Sequence, residues 1–490
     1  MHLAVLLVLG ALNFTPQKLS VDGRVIWVDA GDFNKDGAPD LVVAFRRGNE
    51  PDTKRFVAFF YQQPDGHYSE KANEERPVPP DAAIAAVSDC DGDSVSEVVF
   101  MTAQGLSGYF APGGKLAAGL TEMVKAETAT MFPEIEDLPV WDLCADYHRK
   151  GREIALWDTG TLAFYRAEGA KWSLVDKLKV TPQAWIDSLA SGFFRGAGSN
   201  RDLSISAAYV FPEITVGDYE GDGKPDLYVI QEETLRIYGA SGGATGDGHY
   251  SPTPTVVLNF SIRTQEERNR RGAFVNAMAL DLNGDKRTDF VLNKVSGGLA
   301  SMKSETAIHL NKSGFRKAPD QEVKRSGFSA LVQFVDLNGD GLPEMIEPYS
   351  DVGLVTLARA MVSKTMSVDW LITKNEGGTF NTKASTEMSI SFGLDFSGGP
   401  FFKGPFPRFA FDYDGDGLND FMASPDGSHL HIYLGKKDGF FDGDPGLKLN
   451  IDVSPFTSPF YDAKKKRVHI VSFFRDIPGK EGKIVVLLNE

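Results

Sequence analysis

Six times along this chain the same nine-residue pattern recurs: an acid, any residue, then Asp, Asn or Glu, any residue, Asp, three further residues, and an acid that runs straight into apolar sequence. Positions 1, 3, 5 and 9 are Asp32, Asn34, Asp36 and Asp40; Asp89, Asp91, Asp93 and Glu97; Asp218, Glu220, Asp222 and Asp226; Asp281, Asn283, Asp285 and Asp289; Asp336, Asn338, Asp340 and Glu344; Asp412, Asp414, Asp416 and Asp420. Every one of these side chains carries an oxygen. With a backbone carbonyl near position 7, such a set can wrap a hard cation, and the spacing predicts about six Ca2+ sites. For a single copy, an Asp- and Gly-rich turn without metal is the plainer reading. Six copies with the same four offsets argue against it. Recurrence at this scale also marks a repeat protein.

Two weaker copies fill the gaps. Asp146 to Glu153 nearly keeps the frame but sets Lys150 where a ligand belongs, and the stretch after Asp462 keeps only the first acid. Counting both, first acids stand about 50 to 75 residues apart, which suits a propeller blade of four short strands. One apolar stretch precedes the loop (Val25–Val28), one follows it (Leu41–Phe45), and a third comes next (Phe56–Tyr61). Gly-containing turns then lead to weaker segments, Gly66–Tyr68, Gly314–Arg316 and Gly377–Phe380, read as fourth strands. The last unit stops after its third strand, Lys483–Leu488, and the chain opens with a spare piece, Leu12–Leu19. Pairing the two closes a ring and removes exposed sheet edges. The expected fold is all-β: one propeller over residues 12–490, built of four-stranded antiparallel blades. Eight blades are expected, with seven the alternative if the last unit is irregular. Gly192 to Asp202 echoes the loop again, too close to Asp218 for another blade, and is read as an insertion.

These loops resemble those of the FG-GAP/VCBS repeat family, calcium-loop β-propellers that include integrin α-subunit heads and many bacterial secreted proteins. The resemblance covers nearly the whole chain. It implies interaction and adhesion more often than catalysis. Some calcium-dependent polysaccharide lyases and lectins are similar propellers, so the fold alone does not decide function.

Asp and Glu number 67 against 51 Lys and Arg, a formal net charge of −16. The loops account for it: each holds three or four carboxylates, which repel one another without a cation. Such a balance argues against a nucleic-acid partner. Extracellular calcium modules bind at roughly 10⁻⁴ to 10⁻³ M, so a secreted, periplasmic or cell-surface protein is expected. Leu3 to Leu12 is too short to span a bilayer. It suits the core of a signal peptide over residues 1–11, although no Lys or Arg precedes it; an innermost barrel strand is the other reading. No other apolar run is long enough for a transmembrane segment. Cys90 and Cys144 fall in adjacent units, where a disulfide and two partly buried thiols both fit.

Enzyme chemistry has little to stand on. Gly239 to Gly243 fits the nucleophile-elbow expression but leads into a Gly-rich turn, not a helix. His429 and His431 share a strand face without a third ligand. Asp336 to Glu347 also fits an EF-hand, but the other five loops have Val43, Phe100, Val229, Leu292 and Ala423 at that twelfth place, so Glu347 is read as coincidence. Long insertions are more informative. Gly113–Pro139, Thr181–Pro212, Ser261–Gly272 and Ser391–Arg408 are placed between blades, and Asp351–Ser367 between strands two and three. All then fall on the face opposite the acidic loops, and loops on a rigid scaffold commonly carry binding. They include a helical pattern (Leu354, Leu357, Ala358, Met361, Val362), a basic group (Arg263, Arg268, Arg270, Arg271) and an aromatic loop (Phe392, Phe396, Phe401, Phe402, Phe406). Self-packing or a solvated face explains each as well. The expected function is non-catalytic: a secreted or cell-surface calcium-binding propeller holding a protein or glycan ligand on that opposite face, in adhesion or assembly. The alternative is a calcium-dependent carbohydrate-active enzyme such as a polysaccharide lyase. Its missing feature is a recognisable base beside the six loops, Lys286 and Arg287 notwithstanding.

Overall fold

The apolar run after each acidic loop becomes the second strand of a sheet and is buried along nearly its whole length, as in Asp40–Arg47, Glu97–Thr102 and Asp289–Ser296. A strand covered on both faces by neighbouring sheets needs apolar residues on both, which is why these segments read as unbroken hydrophobic runs. Outermost strands behave differently. In Glu74–Pro77, Val256–Asn259 and Leu447–Asn450 every second residue is exposed, the period of a half-covered strand.

The computed structural model describes residues 12–49, 52–128, 137–158, 160–169, 171–189, 204–241, 249–270, 273–298, 301–329, 331–351, 353–396, 401–475 and 477–490. They build an eight-bladed propeller of antiparallel sheets in chain order. Blade I is Arg24–Gly31, Asp40–Arg47, Lys54–Phe60 and Glu74–Pro77; blade II is Ile84–Ser88, Glu97–Thr102, Gly105–Tyr109 and Thr121–Lys125. Blade III is Cys144–Ala145, Glu153–Trp157, Thr161–Glu168 and Lys171–Lys179; blade IV is Glu213–Gly217, Asp226–Gln231, Thr234–Tyr238 and Val256–Asn259. Blade V is Ala273–Leu280, Asp289–Ser296, Lys303–His309 and Gln321–Ser326. In blade VI both Phe328–Ser329 and Gln333–Val335 pair with Glu344–Ser350, followed by Thr365–Thr373 and Thr386–Asp395. Blade VII reduces its first strand to a bridge between Phe411 and Asp420, then runs Phe421–Ala423, His429–Tyr433 and Leu447–Asn450.

Blade VIII closes the ring. Thr457–Asp462, Arg467–Phe473 and Lys483–Asn489 come from the end of the chain, and Phe14–Ser20 from its start adds the fourth strand, in register from Phe14 opposite Asn489 to Ser20 opposite Lys483. Hydrophobic packing runs between blades. Phe45 and Phe59 of blade I, Phe100 of blade II and Val471 and Ile484 of blade VIII belong to one cluster. Among the described residues no helix is long and apolar enough to cross a membrane.

Two expectations need correction. The segments Gly66–Tyr68, Gly314–Arg316 and Gly377–Phe380 are not the fourth strands, which lie further on at Glu74–Pro77, Gln321–Ser326 and Thr386–Asp395. The Gly-aromatic segments are turns that drive a ring inward: Tyr68 and Phe380 are buried. Second, Gly113–Pro139 is not a single insertion, because Thr121–Lys125 is the fourth strand of blade II and only the residues beyond that strand connect blades. Its leading part lies on the acidic-loop side, where Gly114 sits so close to the Asn34 carbonyl that a Cβ would meet it at 2.2 Å. Likewise Ser391–Asp395 belongs to a strand. Of the two readings left open for Cys90 and Cys144, the disulfide is the one formed, their Cα atoms 5.3 Å apart, tying blade II's loop to the first strand of blade III. Between Thr181 and Pro212, Gln183–Leu189 and Ser204–Val210 make a hairpin of their own; the loop echo from Gly192 to Asp202 lies outside the described residues, as do residues 1–11.

Deleting residues 12–20 strips Lys483–Asn489 of its partner and opens the ring. The expected result is a lower melting temperature and concentration-dependent association through the bared edge, read by calorimetry and size-exclusion chromatography.

Candidate metal centres

Each acidic loop connects the first and second strands of its blade, and all six fold alike for the same local reasons. Position 4 has φ between 64° and 82° and position 6 between 68° and 88°. Glycine takes that left-handed region without cost, and it stands at position 4 in five loops and at position 6 in four. The first acid then accepts the position-6 N–H at 2.8–3.1 Å (Gly37, Ser94, Gly223, Lys286, Gly341, Gly417). The fifth-position acid accepts the position-7 N–H at 2.7–3.0 Å. These bonds wind the backbone around the carboxylates.

The ninth acid is buried in every copy: Asp40, Glu97, Asp226, Asp289, Glu344 and Asp420. One of its oxygens accepts the N–H of position 2 at 2.6–3.0 Å. In blades I, IV, V and VII the other oxygen accepts an N–H just past the third strand, from Gln62, Ala240, Asn311 and Gly435 at 2.7–3.0 Å. The ninth acid thus ties three strands together. Burial, with repulsion from neighbouring acids of the same loop, pushes its carboxyl up to about 7 in Asp40, Glu344 and Asp420 and about 6 in Asp289. Glu97, crowded also by Asp91, is pushed up to about 9.

Among the described residues, oxygens of Asp89, Asp91 and Glu97 lie within 4.8 Å of one another, as do those of Asp412, Asp414 and Asp420. Where position 3 is Asn34, Asn283 or Asn338 it offers an amide carbonyl in place of a carboxylate. The donor set is oxygen throughout and dense in negative charge, which fits a hard divalent cation such as Ca2+ and not a softer metal.

The two weak copies show what replaces that set. In blade III, Asp146 still accepts the Gly151 N–H at 3.1 Å, and Arg149 and Gly151 keep the two left-handed turns. The loop is one residue shorter, and buried Glu153 faces protein cations. His148 Nδ1 lies 2.7 Å from it and Arg166 pairs with its other oxygen. Burial alone would lower His148, but the carboxylates of Asp176 and Glu153 outweigh it and hold the imidazole above its ordinary value. In blade VIII, Asp462 accepts the N–H groups of Lys464 and Lys465 and faces His469 Nε2 at 3.3 Å. His469 Nδ1 accepts the Asn489 N–H at 3.0 Å, the bond a ninth acid makes elsewhere.

One recurrent feature escaped the sequence reading. Asn311 and Asn375, each two residues past a third strand, and Asn489, the last residue of one, are buried and donate through Nδ2 to the position-2 carbonyl of the preceding blade's loop: Tyr219, Leu282 and Tyr413, at 2.7–2.8 Å. The signal was available. Asn311 and Asn375 are followed three residues later by Gly314 and Gly378, whose N–H groups bond back to the Asn oxygen.

Other singled-out residues have ordinary roles. Glu347 lies inside a strand of blade VI and pairs with Arg325 at 2.7 Å. His429 is exposed and bonds Asp426. Ala240–Ser241 forms a short hairpin with His249–Tyr250, while Gly242 and Gly243 lie outside the described residues. The basic group is neutralised where described: Arg263 pairs with Glu232 and Glu233, and Arg268 with Glu233. The aromatic loop packs on itself, Phe402 against Phe392 and Phe406, and Phe406 against Trp370. The helix Leu354–Ser363 forms; among its described side chains Ala360 is buried, and Met361 and Val362 point outward at 69% and 87% exposure.

No family model matches the chain, and neither does any curated protein. Among solved structures it is similar to an Agrocybe aegerita lectin described as recognising non-reducing terminal N-acetylglucosamine (14% identity, 96% of this chain and 86% of that one, TM-score 0.36). It is also similar to Sqt1 from Chaetomium thermophilum (8%, 97% and 100%, 0.49) and to the Dos1 propeller (7%, 98% and 96%, 0.40). Identities this low concern chain architecture alone. The class is thus an eight-bladed β-propeller with an acidic loop on six blades.

Two outcomes are expected. In chelator the raised ninth acids favour the folded state only while protonated, so the melting temperature falls as pH rises from about 5 to 8, and saturating calcium flattens that slope. Asn375→Ala, which strands the carbonyls of Leu282 and Pro343, costs about 1–3 kcal/mol in denaturant unfolding.

Proposed function

We propose that this protein is a calcium-stabilised binding propeller that works outside the cytoplasm and holds a protein or glycan partner on the face opposite its acidic loops. The observation that supports the calcium reading is the shared loop winding, with three carboxylates within 4.8 Å of one another in blades II and VII. Asp32, Asn34, Asp36 and Asp40, with their counterparts in blades II, IV, V, VI and VII, would hold the ion. Bound there, it neutralises acids that the fold has crowded and partly buried, so its effect is on stability. The disulfide between Cys90 and Cys144 agrees with an oxidising compartment.

The opposite face supports the partner reading less directly. It carries the Gln183–Val210 hairpin and a helix with exposed Val355, Met361 and Val362. The basic group and most of the aromatic loop are spent on internal contacts, which narrows the binding surface to those elements. A polysaccharide lyase remains the second reading, and its base would have to come from elsewhere than the loops.

Titration of chelator-stripped protein is expected to give six calcium ions per chain. Asp222→Ala or Asp416→Ala lowers the count by one and the melting temperature with it, while folded protein keeps its partner. An unchanged count in both variants overturns the ligand assignment. Immobilised protein is expected to retain a defined cell-surface protein or glycan in calcium and release it in chelator; depolymerisation of uronic-acid polymers would favour the lyase.

A further inference from the structure

A cavity of about 320 Å³ opens between the innermost strands of blades III and IV. Trp141 and Asp142 lead into the first strand of blade III, Trp157 ends its second strand, and Phe211 leads into blade IV, where Glu213 is the first strand residue. These positions lie at the strand ends remote from the acidic loops. Three rings make one wall: Phe211 stands 5.3 Å from Trp141 and 5.5 Å from Trp157, centroid to centroid. Trp157 is buried, while Trp141 and Phe211 are half-buried and present ring surface to the cavity.

Its polar groups are of one sign. Asp142 and Glu213 stand exposed at the rim, without a hydrogen bond or ion pair among the described residues. Among the described residues no Lys, Arg or His lines the cavity. Asp29 on blade I feels the charge of Asp142; burial and that neighbour push its carboxyl up to about 6. An anion is therefore repelled. A neutral ligand gains from the rings but nothing from the field. A metal ion or a bare ammonium is too strongly hydrated to use the rings. An alkylated ammonium uses both: its charge is spread over methyl groups, each ring contact contributes about 0.5–2 kcal/mol, and the carboxylates complement the charge.

We propose that this cavity binds a quaternary ammonium group of the choline type, free or displayed as a headgroup. The cavity lies on the same face as the proposed macromolecular partner but the inference does not rest on that partner, and either can fail alone.

The test is calorimetric titration of the calcium-loaded protein, at fixed ionic strength, with choline chloride, tetramethylammonium chloride and ammonium chloride. Saturable one-to-one binding of the first two and none of the third is expected. Combined Asp142→Asn and Glu213→Gln, which keep side-chain shape, weaken binding about tenfold or more. Trp141→Ala abolishes it in protein that is still folded, as judged by a cooperative melting transition. Phosphatidylcholine vesicles separate the sources: co-sedimentation that free choline competes away marks a displayed headgroup, and its absence beside choline binding marks a free ligand. Equal heats for ammonium and choline, binding indifferent to all three substitutions, or no choline binding overturn the proposal. So does saturable uptake of a neutral sugar that Trp141→Ala abolishes.

Discussion

A buried carboxylate at the end of each nine-residue loop is the constraint on which the rest of this fold leans. Removing a carboxylate from water costs several kcal/mol unless its charge is met. Here backbone N–H groups meet part of it, and they come from separate places: the loop itself and, in four blades, the far end of the third strand. The same group that would serve a cation therefore also fixes where three strands of a blade must stop. What the N–H groups leave uncompensated is visible in the upward shift of Asp40, Glu97, Glu344 and Asp420. A divalent ion bound to the surrounding acids would supply the missing positive charge.

Blades III and VIII show that this demand is met in another way where the acids are lost. Glu153 keeps its buried place and receives His148 and Arg166. Asp462 keeps its place and receives His469, whose other ring nitrogen accepts the Asn489 N–H. An imidazole that accepts at Nδ1 must hold its proton at Nε2, toward Asp462, and burial lowers its affinity for a second proton. The strand-tying role of the ninth position thus survives loss of the metal set. Cations from these blades also reach the neighbouring loops: Arg152 donates to the Asp89 carbonyl, Arg149 to that of Gly223 and Lys464 to that of Asp36.

Much of this architecture was legible because strands buried on both faces leave unbroken apolar runs. Those runs gave the eight units, and the unmatched pieces at the two ends gave the closure of Phe14–Ser20 on Lys483–Asn489. Fourth strands were not legible. Glu74–Pro77 and Thr121–Lys125 are short and half exposed, so their pattern is weak, and the Gly-aromatic turns that precede them carry a stronger apolar signal. The acidic positions were legible as a set, but not the second bond of the ninth acid, whose donors stand 14 to 22 residues away. Ion pairs were hidden for the same reason. Arg263 looked free because Glu232 and Glu233 lie on a turn of the preceding sheet, about 30 residues upstream.

Placing the acidic loops at one end of the strands has a consequence for function. Everything that crowds charge sits on one face, and adjacent loops are stitched into a ring there, Ser96 to Asp32, Thr288 to Asp218 and Asn419 to Asp336. That face is committed to holding the blades in place. The other ends of the strands receive the insertions, the helix and the Trp141–Phe211 cavity. Changes there leave the buried carboxylates and their partners untouched, so the recognition surface can vary without disturbing the loops that hold the ring together.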